Sequence, residues 1–139
     1  MVVIKEFRVP IGGYEYGFPA GLIDSDAEEA DVTLTVKREL KEETGLKVSK
    51  ILLMSPPVVS SAGLSDEAVR LVFVECTGVP DTAGNDRTED ITVEVLDLEG
   101  VAALRRSGAV VGAKMYPILL MFEAMKKIAI PKHLFDAAS

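Results

Sequence analysis

Residues 38–46 read RELKEETGL, and this stretch constrains the fold and the chemistry of the chain more than any other. Its three glutamates stand at helical spacing, where like charges repel by about 0.2–0.5 kcal/mol per pair. A solvated helix face would explain them if they pointed away from the core. Their position on the helix therefore decides whether they are surface charges or parts of a site.

The pattern around these glutamates predicts an amphipathic helix. Asp31 is expected to cap its N-terminus, and Gly45 is a residue type at which helices end. Val32, Val36 and Leu40 recur every four residues and so form one apolar stripe. The helix is therefore expected to pack this stripe on the core.

The glutamates border the apolar stripe instead of opposing it. At about 100° per residue, Glu39 and Glu43 fall on its edge and Glu42 lies a little further round. Carboxylates beside a buried face lose hydration and need a partner. A hard divalent cation, Mg²⁺ or Mn²⁺, is the expected partner, and Arg38 is expected to orient one carboxylate. Cation sites of this kind usually serve phosphate chemistry.

The composition excludes several other classes of site. The chain has 139 residues, enough for one domain, and a formal net charge of −7. The acidic balance argues against nucleic acid as a partner, because phosphate backbones are bound by clustered Lys and Arg. A lone Cys76 and a lone His133 argue against disulfides, zinc clusters and serine–histidine triads. No apolar run approaches about 20 residues and no signal peptide is evident, so we expect a cytoplasmic protein without membrane contact.

The rest of the chain alternates irregularly between strand-like and helix-like segments. Strands are expected at 2–9, 14–18, 51–59, 69–77 and 91–98. Further helices are expected at about 99–106 and 113–129. The segments at 51–59 and 69–77 are apolar and are expected to be buried strands. Without regular βαβ alternation, this order indicates a mixed-sheet α/β sandwich.

The stretch from 38 to 46 resembles the second half of the Nudix box, G-x5-E-x7-R-E-U-x-E-E-x-G-U, in which U is aliphatic. Similarity to the ADP-ribose pyrophosphatase branch of that family extends over short segments at 7–8, 12–14, 19–24, 63–67 and 89–91. The resemblance implies a Nudix-type α/β/α sandwich with a mixed β-sheet. It also implies one hydrolase domain over residues 1–139, without the N-terminal segment of the relatives.

The resemblance further implies a pyrophosphatase that hydrolyses a nucleoside diphosphate linked to another moiety. ADP-ribose is the favoured substrate, and it would give AMP and ribose 5-phosphate. One alternative is another nucleotide substrate, such as a UDP-sugar, a dinucleoside polyphosphate or an oxidised nucleotide. The other is a non-catalytic module that binds a nucleotide. A homodimer is a family expectation, while the sequence leaves open the number of metals and the phosphorus that is attacked.

By the same resemblance, ten residues receive roles in the site. The expected metal ligands, all through oxygen atoms, are Ala20 (by its carbonyl), Glu39, Glu42 and Glu43. The expected catalytic residues, which hold the metal ligands or act on the attacking water, are Glu43, Glu89 and Arg38. The expected substrate-binding residues, which contact the diphosphate or line its pocket, are Arg8, Gly21, Leu22 and Glu67. Glu89 is the best match to a loop glutamate that serves the branch as a base or a metal ligand.

The chain departs from the family pattern at several places. The loop of the box is three residues longer than usual, so the place of its first glutamate falls on Ala30. Glu28 or Glu29 would substitute for it only if the loop bulges. Ala62 stands where the branch often has proline, and Gly17 stands where glutamate is common. These departures concern the substrate more than the chemistry.

Overall fold

A computed structural model describes residues 1–24, 28–84 and 90–127 of the chain. Within these residues the elements follow the order β1 (Val2–Arg8), a 3₁₀ turn (Val9–Ile11), β2 (Gly13–Gly17), α1 (Glu29–Thr44), β3 (Lys47–Met54), β4 (Val58–Val59), β5 (Ala68–Val69), β6 (Val72–Thr77), β7 (Ile91–Val95), α2 (Leu98–Arg106) and α3 (Tyr116–Lys127). Strands β2, β1 and β7 form one antiparallel sheet, β3 pairs with β6, and β4 pairs with β5. The predicted α/β class is confirmed.

Helices cover both faces of the sheet formed by β2, β1 and β7. Val3 and Ile4 are consecutive residues of β1, so their side chains point to opposite faces of the sheet. Both residues are buried, which means that both faces are covered. Val3 belongs to a core cluster with side chains of α2 and of α3, among them Val101 and Leu119. The other face, which carries Ile4 and the buried Ile91, is left for α1, whose contacts include β7. This layering is the predicted sandwich.

Helix α1 begins at Glu29, and the prediction that Asp31 caps it is wrong. Glu28 is the N-cap residue and forms a capping box with Asp31. The carboxylate of Asp31 accepts the backbone N–H of Glu28 at 3.2 Å, while the side chain of Glu28 accepts the N–H of Asp31. The helix ends at Gly45, as predicted, in the left-handed conformation with φ 71°.

The predicted strand at 51–59 is divided, and its predicted burial is wrong, because all of its residues are exposed or partly exposed. β3 ends at Met54 because Pro56 and Pro57 have no N–H to donate to a neighbouring strand. The chain then pairs again in the short hairpin of β4 and β5. Leu53 stands opposite Phe73 across β3 and β6, and the two residues are 59% and 38% exposed.

Helices α2 and α3 lie close to the segments predicted for them. Pro117 is the second residue of α3, where its missing N–H is tolerated. No helix in the described part of the chain is long and apolar enough to cross a membrane. The single domain over residues 1–139, the cytoplasmic location and the homodimer stay predictions.

Two glycines with positive φ allow a stability test of the end of α1. Gly45 and Gly12 have φ of 71° and 60°, and alanine in this region costs about 1–2 kcal/mol. A Cβ at Gly45 would also lie 2.9 Å from the backbone of Asp81, whereas nothing lies within 4 Å of a Cβ at Gly12. We therefore expect Gly45→Ala to lower the free energy of unfolding by about 1–3 kcal/mol more than Gly12→Ala does. Denaturant unfolding measures both values, and equal losses would contradict the role given to the Asp81 contact.

Candidate active site

The exposure of side chains on α1 follows the predicted helical projection. Val32 and Leu40 are 2% and 7% exposed, and Glu43 is also 7% exposed. The side chain of Glu39 is 17% exposed and that of Glu42 is 47% exposed. Glu39 and Glu43 therefore border the buried face of the helix, and Glu42 lies further toward solvent.

The backbone that precedes α1 lies directly against two of these carboxylates. The Ala20 N–H donates a hydrogen bond to Glu43 Oε2 at 3.2 Å. A Cβ added to Gly21 would lie 2.1 Å from Glu39 Cγ and 2.3 Å from Glu39 Oε1, so Glu39 occupies the space that a side chain at 21 would need. Leu22 is 94% exposed, although it was expected to line the substrate pocket. Residues 20–21 and the two carboxylates thus form one packed unit, which we call the carboxylate unit.

Arg38 holds the carboxylates of Glu39 and Glu42. Its guanidinium lies 2.6 Å from Glu39 Oε1 and 3.0 Å from Glu42 Oε2. The second contact joins residues four apart on the helix, the spacing at which opposite charges face each other. Arg38 therefore orients two carboxylates and partly neutralises them.

The atoms gathered at the carboxylate unit suit a hard divalent cation. Glu39 and Glu43 offer carboxylate oxygens there, the kind of ligand that Mg²⁺ and Mn²⁺ prefer. Among residues 1–24, 28–84 and 90–127, no three or more His, Cys, Asp or Glu side chains converge as a metal cluster. In this arrangement Arg38 holds Glu39 and Glu42, while Glu43 accepts the Ala20 N–H. The two carboxylates packed beside residues 20–21, those of Glu39 and Glu43, are therefore the candidate ligands for a cation.

Arg8 ends β1 between two carboxylates. Its Nη2 lies 2.9 Å from Glu6 Oε2, and its Nε lies 3.4 Å from Glu15 Oε2. Because side chains alternate along a strand, Glu6 and Arg8 share the face of β1 that carries Ile4, the face assigned to α1. Arg8 is about half exposed. It is therefore an oriented, accessible cation on the same side of the sheet as the carboxylate unit.

Glu67 is anchored in the hairpin of β4 and β5. The Ser60 hydroxyl donates to Glu67 Oε2, and the Ser60 N–H donates to the Glu67 carbonyl at 2.9 Å. Lys114 Nζ lies 3.7 Å from the same carboxylate oxygen. The hydrogen bond from Ser60, and then the charge of Lys114, lower the pKa of Glu67 below its ordinary value. No local sequence pattern indicates these partners, because Ser60 and Lys114 meet Glu67 only in the folded chain.

The positions that depart from the family pattern have ordinary local structure. Ala62 lies in an exposed turn in which the Ser61 carbonyl accepts the N–H groups of Leu64 and Ser65 at 2.9 and 3.1 Å. This turn therefore forms without proline. Ala30 lies in the first turn of α1, and the neighbouring loop residues 25–27 lie outside the described residues. Gly17 ends β2, with open space where a side chain would stand.

Glu89 lies outside the described residues, but the chain is anchored on both sides of it. On one side, the Asp81 N–H donates to the Thr44 carbonyl at 2.8 Å, and a Cβ at Gly84 would lie 3.1 Å from the Glu42 carbonyl oxygen. On the other side, the Phe7 N–H donates to the Asp90 carbonyl at 3.1 Å, and the Tyr14 hydroxyl donates to the Asp90 carboxylate. That hydrogen bond raises the pKa of Tyr14. Tyr14 is an anchor that the sequence did not indicate.

Comparison with known proteins identifies the family. The family model described as NUDIX domain matches residues 1–118, most of the chain. The chain belongs to the Nudix family. A solved structure from a study of MutT from Aliivibrio salmonicida and Vibrio cholerae has a TM-score of 0.57 at 16% identity. It covers 90% of this Nudix chain and 86% of the other, and at this identity the likeness concerns the fold alone.

Curated relatives of this Nudix chain carry related names. The ADP-sugar pyrophosphatase of Mus musculus is 41% identical over 88 residues, 63% of this chain and 37% of the mouse protein. The ADP-ribose pyrophosphatase of Saccharomyces cerevisiae is 42% identical over 71 residues, 51% and 29% of the two chains. The GDP-mannose pyrophosphatase of Yersinia pestis is 31% identical over 106 residues, 70% and 50% of the two chains. These names support the ADP-ribose pyrophosphatase-like branch, and the chain spans at most half of each relative.

The packing of Gly21 against Glu39 makes a testable prediction. In Gly21→Ala the new Cβ would overlap the flexible end of Glu39, so the fold survives while the carboxylate moves. Displacing a group that supports a metal ligand typically costs 10–100-fold in metal affinity. We expect about a tenfold weaker Kd for Mn²⁺, measured by electron paramagnetic resonance titration. Gly17→Ala is the matched control, since nothing lies within 4 Å of its Cβ. Equal Mn²⁺ affinity in both variants would contradict the role of Gly21.

Proposed function

We propose that this Nudix chain is a metal-dependent pyrophosphatase that hydrolyses a nucleoside diphosphate sugar, with ADP-ribose as the favoured substrate. The observation that carries the proposal is the carboxylate unit, in which Glu39 and Glu43 border the core against residues 20–21. Burying carboxylates in this way is unfavourable unless a cation or hydrogen bonds compensate. The names of the three relatives each describe a pyrophosphatase of a nucleoside diphosphate sugar, which supports the substrate class.

The proposed cofactor is Mg²⁺ or Mn²⁺, held by Glu39 and Glu43. Glu42 and the Ala20 carbonyl are proposed as additional ligands. Arg38 keeps the carboxylates of Glu39 and Glu42 in place. When bound, the cation neutralises charge on the diphosphate and lowers the pKa of the attacking water. The contacts of Arg38 and of the Ala20 N–H support this proposal, because they orient the carboxylates of Glu39, Glu42 and Glu43.

The substrate side of the site is proposed to include Arg8, Glu67 and the backbone at 21–22. The forked guanidinium of Arg8 matches a phosphate or a sugar hydroxyl, and its two carboxylate neighbours hold it in one orientation. Glu67 is held by Ser60 in the hairpin of β4 and β5. The contact of Gly21 with Glu39 supports an effect of Gly21 through that metal ligand more than through the substrate.

The proposed reaction is a hydrolysis at one phosphorus of the diphosphate. The water oxygen forms a bond to that phosphorus, and the bond from phosphorus to the bridging oxygen breaks. With ADP-ribose the products are AMP and ribose 5-phosphate. The proton released by water passes to a base, and Glu89 is the residue proposed for this role or for holding the water. The anchoring of Gly84 beside α1 and of Asp90 on β1 supports this choice, because the intervening stretch is short.

A second substrate of the same class is supported by the Yersinia pestis relative. Its name specifies GDP-mannose, and its match covers a larger share of this chain than that of the mouse protein. Ala62, where the branch often has proline, is compatible with a changed preference. Values of kcat/KM for ADP-ribose and GDP-mannose rank the two, and a higher value for GDP-mannose would replace ADP-ribose as the favoured substrate.

The central residue for a test is Glu43. In Glu43→Gln the amide oxygen still accepts the Ala20 N–H, so the fold is kept, but the negative charge needed by the cation is lost. We expect metal-dependent hydrolysis of ADP-ribose to be abolished, a loss in kcat of at least about 100-fold. Glu75→Gln, an exposed glutamate on β6, is the control and keeps full activity. A folded Glu43→Gln protein with the wild-type kcat would contradict the assignment of the site.

The proposed role of Glu89 predicts a particular change in pH dependence. Glu89→Gln removes a group that accepts a proton only when it is ionised, so kcat falls by about 100-fold or more and the acidic limb of the pH–rate profile is lost. The control is Asp86→Asn, a change at another acidic residue in the same stretch of sequence. An equal fall in kcat in both variants, or an acidic limb that is retained in Glu89→Gln, would show that the base is a different residue.

A further inference from the structure

We propose that Lys114 is a further substrate-binding residue, whose ammonium group contacts the negatively charged diphosphate of the substrate. The inference rests on the proposed function and adds residues 110–114, called here the 110–114 segment, to the walls of the site. This part of the chain lies within the residues that the NUDIX domain model matches, but outside the Nudix box and outside the short segments that resemble the ADP-ribose pyrophosphatase branch.

Backbone hydrogen bonds attach the 110–114 segment to the edge of β2. The Tyr16 N–H donates to the Val110 carbonyl at 2.9 Å, and the Gly112 N–H donates to the Tyr16 carbonyl at 2.9 Å. A Cβ at Gly112 would lie 3.1 Å from Glu15 Oε1. Since Glu15 also contacts Arg8, a single carboxylate separates this segment from the cation proposed to bind the substrate.

The other end of the 110–114 segment reaches the hairpin that carries Glu67. Lys114 Nζ lies 3.7 Å from Glu67 Oε2, and the lysine side chain is about half exposed. The next residue, Met115, is 1% exposed and belongs to the core cluster, so the backbone beside Lys114 is fixed. The segment therefore contacts Glu15, the neighbour of Arg8, near one end and Glu67 at the other, and Lys114 stands at the Glu67 end.

The ion pairs of the two arginines leave a role for a third basic side chain. Arg8 contacts two carboxylates, and Arg38 contacts two others. Each arginine together with its two carboxylates therefore has a formal net charge of about −1. Lys114 is paired with Glu67 at 3.7 Å, which is longer than a hydrogen bond. An ammonium group has three N–H donors and binds phosphate as a point charge. Lys114 can thus turn toward a diphosphate without leaving a buried carboxylate unpaired.

Glu67 and Ser60 give Lys114 its position. The Ser60 hydroxyl holds the Glu67 carboxylate, and the carboxylate in turn attracts the ammonium group. A purely structural surface ion pair of this kind contributes about 0–1 kcal/mol to stability. Such a pair would leave substrate affinity unchanged when Lys114 is replaced. Kinetics with a nucleoside diphosphate sugar therefore separates the two roles.

The test is steady-state hydrolysis of ADP-ribose at saturating Mg²⁺ by the wild-type protein, Lys114→Gln, Lys114→Arg and Lys50→Gln. Loss of one charged contact predicts about a tenfold higher KM for Lys114→Gln, with kcat within about twofold. Lys114→Arg keeps the charge and restores KM to within about threefold of the wild-type value. Lys50 is an exposed lysine on β3, and its replacement leaves KM unchanged. The KM of Lys114→Gln also rises less with added salt than that of the wild-type protein.

The outcomes distinguish this inference from the proposed function. If the wild-type protein hydrolyses ADP-ribose and Lys114→Gln has the same KM, the inference is overturned and the proposed function stands. If no nucleoside diphosphate sugar is hydrolysed, the proposed function fails, and calorimetric titration with ADP-ribose tests Lys114 directly. About tenfold weaker binding of ADP-ribose by Lys114→Gln than by Lys50→Gln then supports the inference. Equal binding by the two variants overturns it, and so does the absence of binding by the wild-type protein.

Discussion

The hydrogen bond between the Ala20 N–H and the buried carboxylate of Glu43 is the contact on which the rest of the site depends. A carboxylate beside the core is unfavourable unless it is compensated. The last turn of α1 is fixed around it, because Thr44 is fully buried and its hydroxyl donates to the Leu40 carbonyl. The Thr44 carbonyl also accepts the Asp81 N–H. Three distant parts of the chain thus meet at one helix end.

This arrangement explains how a helix can hold three like charges within one turn and a half. Arg38 compensates Glu39 and Glu42, while Glu43 accepts a backbone N–H. Glu39 and Glu43 both lie against the backbone at 20–21, and Glu42 is the most exposed of the three. A hard cation at the carboxylate unit would therefore be held by protein groups that are already oriented. The proposed chemistry follows from that oriented set of oxygens.

Much of the fold and of the helix carboxylates could be predicted from the sequence, because those features depend on local spacing. The apolar stripe of α1 and its end at Gly45 are examples. The burial of 51–59 was predicted wrongly, since apolar composition alone does not say which face a neighbour covers. The start of α1 was also missed, because Glu28 competes with Asp31 for the cap and the capping box uses both.

The remaining parts of the site could not be predicted, since they depend on residues that are distant in the sequence. Ser60, Lys114 and Glu15 contact the proposed substrate-binding residues only through the folded hairpins. Gly21 was expected at the substrate, but its clearest contact is with Glu39, which depends on how the chain enters α1. The family motif names residue types, whereas the packing shows which of them support one another.

The most direct test of the proposed pyrophosphatase activity is hydrolysis of nucleoside diphosphate sugars in ¹⁸O-labelled water, with products identified by mass. We expect that, with Mg²⁺ or Mn²⁺, ADP-ribose gives AMP and ribose 5-phosphate, one of which carries a single ¹⁸O atom. A chelator should stop the reaction. Absence of hydrolysis across ADP-ribose, GDP-mannose and UDP-sugars, or hydrolysis that continues with the chelator present, would contradict the proposed activity.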